Sequence, residues 1–118
     1  MTSQQKIGSL GERIALNYLQ RKGYRFLDKN FKYSVLGEID LIVEKNKIVH
    51  FVEVKTRKKG FGYPEEAVNR KKIEKIYQVI PVYLRKISQF KEAQLDVISI
   101  ELDYQQQIAH LEHIKNFS

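Results

Sequence analysis

Cysteine is absent from this 118-residue sequence, which excludes a disulfide framework and a thiolate zinc site. No apolar run approaches the roughly 18–20 residues that span a membrane, so we expect no membrane association. The N-terminal segment MTSQQKIGSLGER also lacks the apolar core of a secretory signal. Linkers, repeats and low-complexity tracts are absent as well. These absences predict a cytoplasmic protein in which residues 1–118 form a single domain.

Basic residues outnumber acidic ones, and the net charge is +7 at pH 7. Between residues 54 and 75 there are eight Lys or Arg residues and only three acids. Such an excess in a small domain favours a polyanionic partner such as nucleic acid. The ordinary alternative is a solvated basic surface that binds nothing in particular.

Residues 37–57, GEIDLIVEKNKIVHFVEVKTR, have the pattern of a β-hairpin. Two runs of strand-forming residues, 39–43 and 48–54, flank a polar turn. Charged side chains accompany these runs in two pairs, Glu38 with Asp40 and Glu53 with Lys55. Charges on an otherwise buried surface conflict with simple folding, and such conflicts tend to mark functional sites.

The length of the turn decides whether these charges meet. A two-residue turn at residues 45–46 makes Glu53 the diagonal neighbour of Asp40, whereas a loop over residues 45–48 sets the two directly opposite. Either loop, being even in length, brings Asp40, Glu53 and Lys55 to one face of the hairpin. A three-residue loop would put them on opposite faces.

Two carboxylates this close repel each other in a low dielectric unless a cation lies between them. Oxygen ligands, only a few of them from protein, suit Mg²⁺ in phosphate-ester chemistry. Lys55 lies on the same face and can either hold a water or stabilise charge that develops on a phosphate. The alternation sends His50 to the other face, where we predict a structural role.

Asp40 followed by Glu53-Val54-Lys55 resembles the D-(x)n-ExK core of restriction-endonuclease-like nucleases. The segments GEIDLIV (37–43), FVEVKTR (51–57) and FGYPEEAV (61–68) resemble the YraN family of small bacterial proteins, which is similar in turn to archaeal Holliday-junction resolvases. The resemblance implies an α/β fold with a restriction-endonuclease-like core, in the order α-β-β-β-α-β, and a mixed central sheet flanked by helices.

The same resemblance implies a Mg²⁺- or Mn²⁺-dependent endonuclease that acts on branched or structured DNA. Asp40, Glu53 and the Val54 carbonyl would hold the metal, and Lys55 would assist catalysis. Glu12 matches a glutamate that related resolvases carry on the first helix of the active site; without the resemblance it would be interpreted as an ordinary boundary residue. A resolvase cuts two strands symmetrically, so this activity would require a homodimer.

Apolar periodicity predicts a helix over residues 3–22, with Gly8 and Gly11 either packing closely on the sheet or delaying its start to Ser9. A second helix is predicted from Pro64 or Glu65 to about Lys86, kinked or divided by Pro81. Its predicted buried stripe comprises Ala67, Ile73, Ile76, Tyr77, Ile80 and Leu84.

Strands are predicted over residues 24–33, at an edge of the sheet, and over residues 93–102. Residues 108–117 form either a last strand or an irregular tail. Three side chains of the edge strand are expected in the core: Phe26, Leu27 and Phe31. His110 and His113 are predicted to be surface residues.

Residues 57–64 are predicted to form a loop that carries cations able to reach phosphates, with more cations on the following helix. Its aromatic residues either stack on unpaired bases or pack under the loop. The candidate nucleic-acid-binding residues are Arg57, Lys58, Lys59, Phe61, Tyr63, Arg70, Lys71, Lys72 and Lys75.

Two alternative functions remain open. The protein is either a nucleic-acid-binding module that kept the fold without turnover, or a nuclease directed at RNA. The basic surface does not separate DNA from RNA, because phosphate contacts dominate the affinity for both polymers.

Overall fold

Five strands form one mixed sheet between two helices in the computed structural model, which describes residues 2–33, 35, 37–60, 70–87 and 92–117. The elements are α1 (Ser3–Arg21), β1 (Arg25–Lys32), β2 (Glu38–Lys45), β3 (Ile48–Lys58), α2 (Arg70–Lys86), β4 (Glu92–Leu102) and β5 (Ile108–Ile114). The strands lie in chain order across the sheet; β3 and β4 are parallel, and the other neighbours are antiparallel. The predicted α/β fold with a mixed, helix-flanked sheet is confirmed, and residues 108–114 form a strand.

Side-chain alternation divides the core into two clusters, one on each face of the sheet. Ala15 and Leu19 of α1 pack with side chains such as Val52 and Ile98 on one face. On the other face, Ile76, Val79, Ile80 and Tyr83 of α2 pack with side chains such as Phe51 and Leu95. The parallel pair β3 and β4 is buried on both faces, which explains its nearly continuous apolar sequence.

The turn of the central hairpin lies one residue later than its two-residue prediction. Asn46 and Lys47 have φ values of 54° and 67°, the left-handed conformations that a tight hairpin turn requires, and Lys45 pairs with Ile48. The register matches the longer predicted loop, with Leu41 opposite Val52. The turn is even in length, so the condition for joining the charged residues is met.

The first helix starts at Ser3, which rejects a delayed start at Ser9. Thr2 caps it, because the Thr2 hydroxyl accepts the Gln5 backbone N–H while the Gln5 side chain accepts the Thr2 N–H. The helix ends before Gly23, whose φ of 91° is the left-handed conformation that glycine adopts easily.

Of the two effects predicted for Pro81, a kink or a division of the second helix, the division is wrong. The helix runs from Arg70 to Lys86 with Pro81 inside it. Pro81 cannot donate to the Tyr77 carbonyl, but both residues lie on the exposed side of the helix, where water can satisfy the carbonyl. The predicted burial of Tyr77 is also wrong, since its exposed fraction is 43% and Val79 and Tyr83 are buried instead.

Edge strand β1 departs from its prediction at one core residue. Phe26 is 39% exposed, whereas Leu27 and Phe31 pack against the α2 cluster. A register irregularity between Phe26 and Asp28 breaks the strict alternation, so the pattern that placed all three inward does not hold.

The basic segment after Lys55 begins as strand rather than loop. Arg57 and Lys58 pair with Glu101 and Leu102 of β4, so β3 extends through Lys58. A predicted loop start at residue 57 is therefore wrong; long parallel pairing holds the charged end of the strand in the sheet.

Several predictions concern residues outside the described ranges. These are the start of the second helix at Pro64 or Glu65, the burial of Ala67 and the two aromatic residues Phe61 and Tyr63. Within the part of the chain that the structure describes, neither helix is long and apolar enough to cross a bilayer.

Candidate functional site

A cleft of about 560 Å³ opens where the first half of α1 meets strands β2 and β3 and the beginning of the described part of α2. It gathers residues from four elements that are far apart in the sequence. Its lining consists of Ser3, Ile7, Gly8, Glu12, Asp40, Glu53, Val54, Lys55, Thr56, Arg57, Lys58 and Lys72. All four residues predicted as catalytic therefore line one cleft.

A close approach between α1 and β3 forms one wall of this cleft. A Cβ placed on Gly11 would lie 1.8 Å from the Thr56 hydroxyl oxygen, so only glycine allows this spacing. The close-packing interpretation of Gly11 is confirmed. Glu12 follows directly and is carried to the cleft by this contact, whereas Gly8 has open space around it.

Asp40 lies where the regular hairpin ladder ends. The β2–β3 pairing stops at Leu41 and Val52, and the Asp40 carboxylate accepts the backbone N–H of Val54 at 2.8 Å. Ile39 and Ile42 pack in the same core cluster, so strict alternation does not persist through Asp40. A side chain thus replaces a backbone ladder bond and holds the carboxylate against β3, beside Glu53.

Glu53 is the most deeply buried acid of the cleft, with an exposed fraction of 2%. Burial, hydrogen bonding with Asp40 and the charge of Asp40 raise the pKa of Glu53 to about 9. Its Oε2 atom accepts no hydrogen bond within the described ranges, and the Lys72 ammonium lies 3.2 Å away. Glu53 therefore keeps an oxygen that a cation can bind.

Two of the cations that line the cleft, Lys55 and Lys72, act on Glu53. Burial and a hydrogen bond with Lys72 lower the pKa of Lys55. Burial opposes the charge of Lys72 as well, but the attraction of Glu53, hydrogen bonds with Lys55 and Glu53 and the charge of Asp40 together outweigh it, and the pKa of Lys72 is raised. The result is a compact group of opposite charges in which the Lys55 ammonium loses its proton more readily than the Lys72 ammonium.

Lys72 was predicted to bind phosphate, but its contact with Glu53 was missed. Lys72 precedes Ile76 and Ile80 by four and eight residues, so it extends the buried stripe of α2. That spacing was the available signal. The run Arg70-Lys71-Lys72 concealed it by suggesting one uniform basic surface.

Glu12 reaches the same group from α1. Burial, followed by the charge of Asp40, raises the pKa of Glu12. The Asn30 amide donates to Glu12 at 3.3 Å and to Glu38 at 2.7 Å, which ties α1 to the hairpin through β1. Asn30, which has a φ of 51°, is not among the predicted site residues, and its position in the edge strand gave no signal of this bridging role.

The chemistry of these donors can be compared with the needs of a metal ion. No group of three or more His, Cys, Asp or Glu side chains able to hold one ion occurs in the described ranges. Two carboxylates are present, however, with the Val54 backbone on the same strand and an unsatisfied Oε2 on Glu53. Mg²⁺ commonly binds one or two carboxylates and keeps several waters, so this donor set fits Mg²⁺ or Mn²⁺ and does not fit a fully protein-ligated site.

Comparisons with known proteins identify the relatives of this chain. The model of the uncharacterised protein family UPF0102 matches residues 11–100. A UPF0102 protein of Caldanaerobacter subterraneus subsp. tengcongensis is 49% identical over 105 residues, covering 86% of this chain and 84% of the relative. Another, from Alkaliphilus oremlandii, is 45% identical over 113 residues, covering 92% and 96%. The chain belongs to the UPF0102 family.

This membership confirms the predicted YraN family, which is UPF0102. A UPF0102 protein of Dictyoglomus thermophilum is 36% identical over 116 residues, 97% of this chain and 98% of the relative. The similarity thus extends over nearly the whole fold. The family is described as uncharacterised, so its name assigns no activity to the cleft.

The basic residues of this UPF0102 protein fall into two groups. Arg57 and Lys58 line the cleft on β3, with Lys59 in the turn that follows. Arg70, Lys71 and Lys75 are exposed on α2, the helix that also carries Lys72. The cations therefore lie beside the acidic group and on the helix that contributes to its wall.

A second buried polar cluster lies on the α1 face of the sheet. Asp96 accepts hydrogen bonds from His50 and His113 at 2.8 Å each, and from the Gln94 amide and the Asn116 backbone N–H. The structural role predicted for His50 fits this network, whereas the surface position predicted for His113 is wrong, since its side chain is 4% exposed. His110 is exposed, as predicted.

Proposed function

We propose that this protein is a Mg²⁺- or Mn²⁺-dependent endodeoxyribonuclease that acts on branched or structured DNA. The observation that carries the proposal is the pairing of Asp40 with the buried Glu53, whose Oε2 atom accepts no hydrogen bond within the described ranges, in a cleft that Lys55 also lines. An acid pair of this kind destabilises the fold, and such a cost is typical of a functional site.

Asp40, Glu53 and the Val54 carbonyl would hold the ion. When bound, the ion supplies an acidified water and offsets negative charge on the phosphate. Val54 also donates its N–H to Asp40 and so keeps that carboxylate in position. Glu12, held by Asn30, contributes a third acid at the edge of the cleft, where it can orient a water.

Lys55 is proposed to stabilise the charge that develops on the phosphate. Its position on a central strand, paired with Ser99 of β4, limits the motion of its backbone. Its lowered pKa follows from burial and from the neighbouring Lys72. A rigid cation in a partly dehydrated cleft is more effective than an exposed one, because solvent screens it less.

Backbone contacts are assigned to the cations around the cleft rather than to a base-reading element. Arg57 and Lys58 line it, and the exposed cations of α2 extend the same positive region. Phosphate contacts position a nucleic acid without reading its sequence. We therefore propose recognition of DNA structure, with two protomers acting together where two strands are cut.

The proposal is tested with labelled four-way junction, flap, duplex, single-stranded DNA and RNA, each incubated with Mg²⁺, Mn²⁺ or EDTA. We expect metal-dependent cutting of branched DNA and a loss of at least a hundredfold in Asp40→Asn and Lys55→Ala. Asp28→Asn is the matched control, because it removes the same charge from β1, away from the cleft. Equal cutting by Lys55→Ala and wild type contradicts the mechanism.

Other outcomes separate the alternatives. Cutting of RNA alone moves the substrate class to RNA. Binding of junction DNA without cutting, by wild type and Asp40→Asn alike, favours a module that binds nucleic acid without turnover.

A further inference from the structure

The Lys72 ammonium lies beside the acid pair of Asp40 and Glu53. Its Nζ atom is 3.2 Å from Glu53 Oε2, the oxygen that accepts no hydrogen bond within the described ranges. Lys72 comes from α2, a separate element from the strands that carry Asp40 and Glu53. The protein thus places a positive charge against the proposed metal ligand from outside the hairpin.

We propose that Lys72 is a built-in cation that takes the place of the metal against Glu53, so that a divalent ion binds only by displacing it. This inference rests on the metal site of the proposed function. An ion that binds Glu53 Oε2 must approach to about 2.1 Å, and an ammonium 3.2 Å from the same oxygen then lies beside a second, larger positive charge.

The two lysines of the cleft differ in their freedom to move away. Lys55 belongs to the central strand β3, where it pairs with Ser99 of β4. Lys72 is only two residues from Arg70, where α2 begins in the described part of the chain, and its side chain is 36% exposed. Its flexible four-carbon stem lets the ammonium swing into solvent while the helix stays packed through Ile76 and Ile80.

Displacement has a clear consequence for affinity. Without a metal, the Lys72 ammonium offsets negative charge on the acid pair. With a metal, that compensation is lost and the two cations repel each other. The measured affinity for a divalent ion is therefore the intrinsic affinity reduced by competition from Lys72, and removal of the ammonium should tighten binding.

The experiment measures binding of Mn²⁺ alone by titration calorimetry and by the loss of the free-ion electron paramagnetic resonance signal. Lys72→Met removes the ammonium, and Lys71→Met is the matched control because it removes the same charge from an exposed neighbour on the same helix. We expect Lys72→Met to bind Mn²⁺ at least tenfold more tightly than Lys71→Met. Lys72→Gln, which keeps a polar end, should agree with Lys72→Met and replaces it if the methionine variant does not fold.

Equal or weaker Mn²⁺ binding by the two Lys72 variants, relative to Lys71→Met, overturns the inference. The variant Asp40→Asn separates this failure from others. If Asp40→Asn loses Mn²⁺ while the Lys72 variants match the control, only the role of Lys72 fails. If Asp40→Asn, Lys72→Met and wild type all bind alike, the metal site fails and takes the proposed function with it. Tighter binding in the Lys72 variants with no nucleic acid cut supports the displacement and rejects the nuclease.

Discussion

Two buried carboxylates on neighbouring parallel strands have pKa values shifted in opposite directions. Asp96 of β4 has an exposed fraction of 0% and Glu53 of β3 one of 2%. Burial alone would raise the pKa of Asp96, but hydrogen bonds from His113, His50, Gln94 and Asn116 outweigh it and hold the pKa well below its ordinary value. For Glu53, burial is reinforced by the neighbouring acid Asp40, and the pKa rises to about 9.

The contrast distinguishes a structural acid from a site for a ligand. Four donors surround Asp96, so its charge is satisfied within the fold and joins β4 to β3, β5 and the C-terminal segment. Glu53 lies on the opposite face, in a cleft, with one oxygen unsatisfied. A buried acid that the fold does not satisfy is the one to associate with binding.

The largest effect should come from breaking the satisfied acid. Asp96→Asn removes the charge that holds two histidines and is expected to lower the free energy of unfolding by about 3–5 kcal/mol. Urea denaturation followed by circular dichroism measures it. Asp28→Asn, at a partly exposed acid with a 3.8 Å ion pair, is the control and should cost less than about 1 kcal/mol. Equal losses in both variants contradict a special role for the network.

The same acid predicts a pH dependence with a definite sign. The pKa of Asp96 is lower in the folded than in the unfolded protein, so between the two values only the unfolded state takes up the proton. Its stabilisation is present above the ordinary value of 3.8 and is lost as the pH falls below it. The stability gap between wild type and Asp96→Asn should therefore be constant near pH 6 and shrink below pH 3.8, by at most about 1.4 kcal/mol per pH unit. A gap that widens in acid would contradict this sign.

The unsatisfied acid should respond in the opposite direction. In EDTA, Glu53→Gln is expected to raise the free energy of unfolding by about 1–3 kcal/mol at pH 8. At that pH the unfolded protein has lost the Glu53 proton and must take it up again on folding, whereas glutamine is neutral in both states. The folded protein binds this proton more tightly between pH 4.5 and about 9, so wild-type stability falls as the pH rises through that window. The advantage of Glu53→Gln should thus grow from pH 5 to pH 8. A variant less stable than wild type at pH 8 would reject the raised pKa.

The smallest expected changes in stability come from the glycines of α1 near the cleft. Gly11→Ala places a Cβ against Thr56 and should cost about 1–2 kcal/mol, since either the helix or the Thr56 side chain must shift. Gly8→Ala, with open space around it, is the matched control and should gain up to about 1 kcal/mol from helix propensity. Thermal unfolding of both variants measures the difference. Stabilisation by both would mean that the close approach does not position Glu12.

Local patterns were sufficient for most of the fold. Apolar spacing of three and four residues placed α1, and alternation with a polar turn placed the hairpin, because these periods follow directly from backbone geometry. Predictions failed where tertiary contacts override a period. Phe26 lies at an irregularity in the edge pairing. Pro81 is tolerated because it and Tyr77, four residues earlier, lie on the exposed side of α2.

The candidate site divides in the same way. The sequence alone predicted that Asp40, Glu53 and Lys55 lie together, since a turn of even length places them on one face of the hairpin. Glu12 required the family resemblance. The contact of Lys72 with Glu53 and the role of Asn30 were missed, because they depend on how α2 and β1 lie over the hairpin, and no period within one segment contains that information.

The order of residues thus accounts for the elements, the hairpin acids, the excess of positive charge and membership of UPF0102. Packing decided which acid is satisfied and which is not. Asp96 and Glu53 look alike in the sequence, each an acid in an apolar strand. Asp96 accepts hydrogen bonds from His50 and His113, which lie 46 and 17 residues away, whereas Glu53 is buried beside the acid Asp40. The pKa of a buried group depends on its neighbours in space, and those neighbours exist only after the sheet and helices have come together.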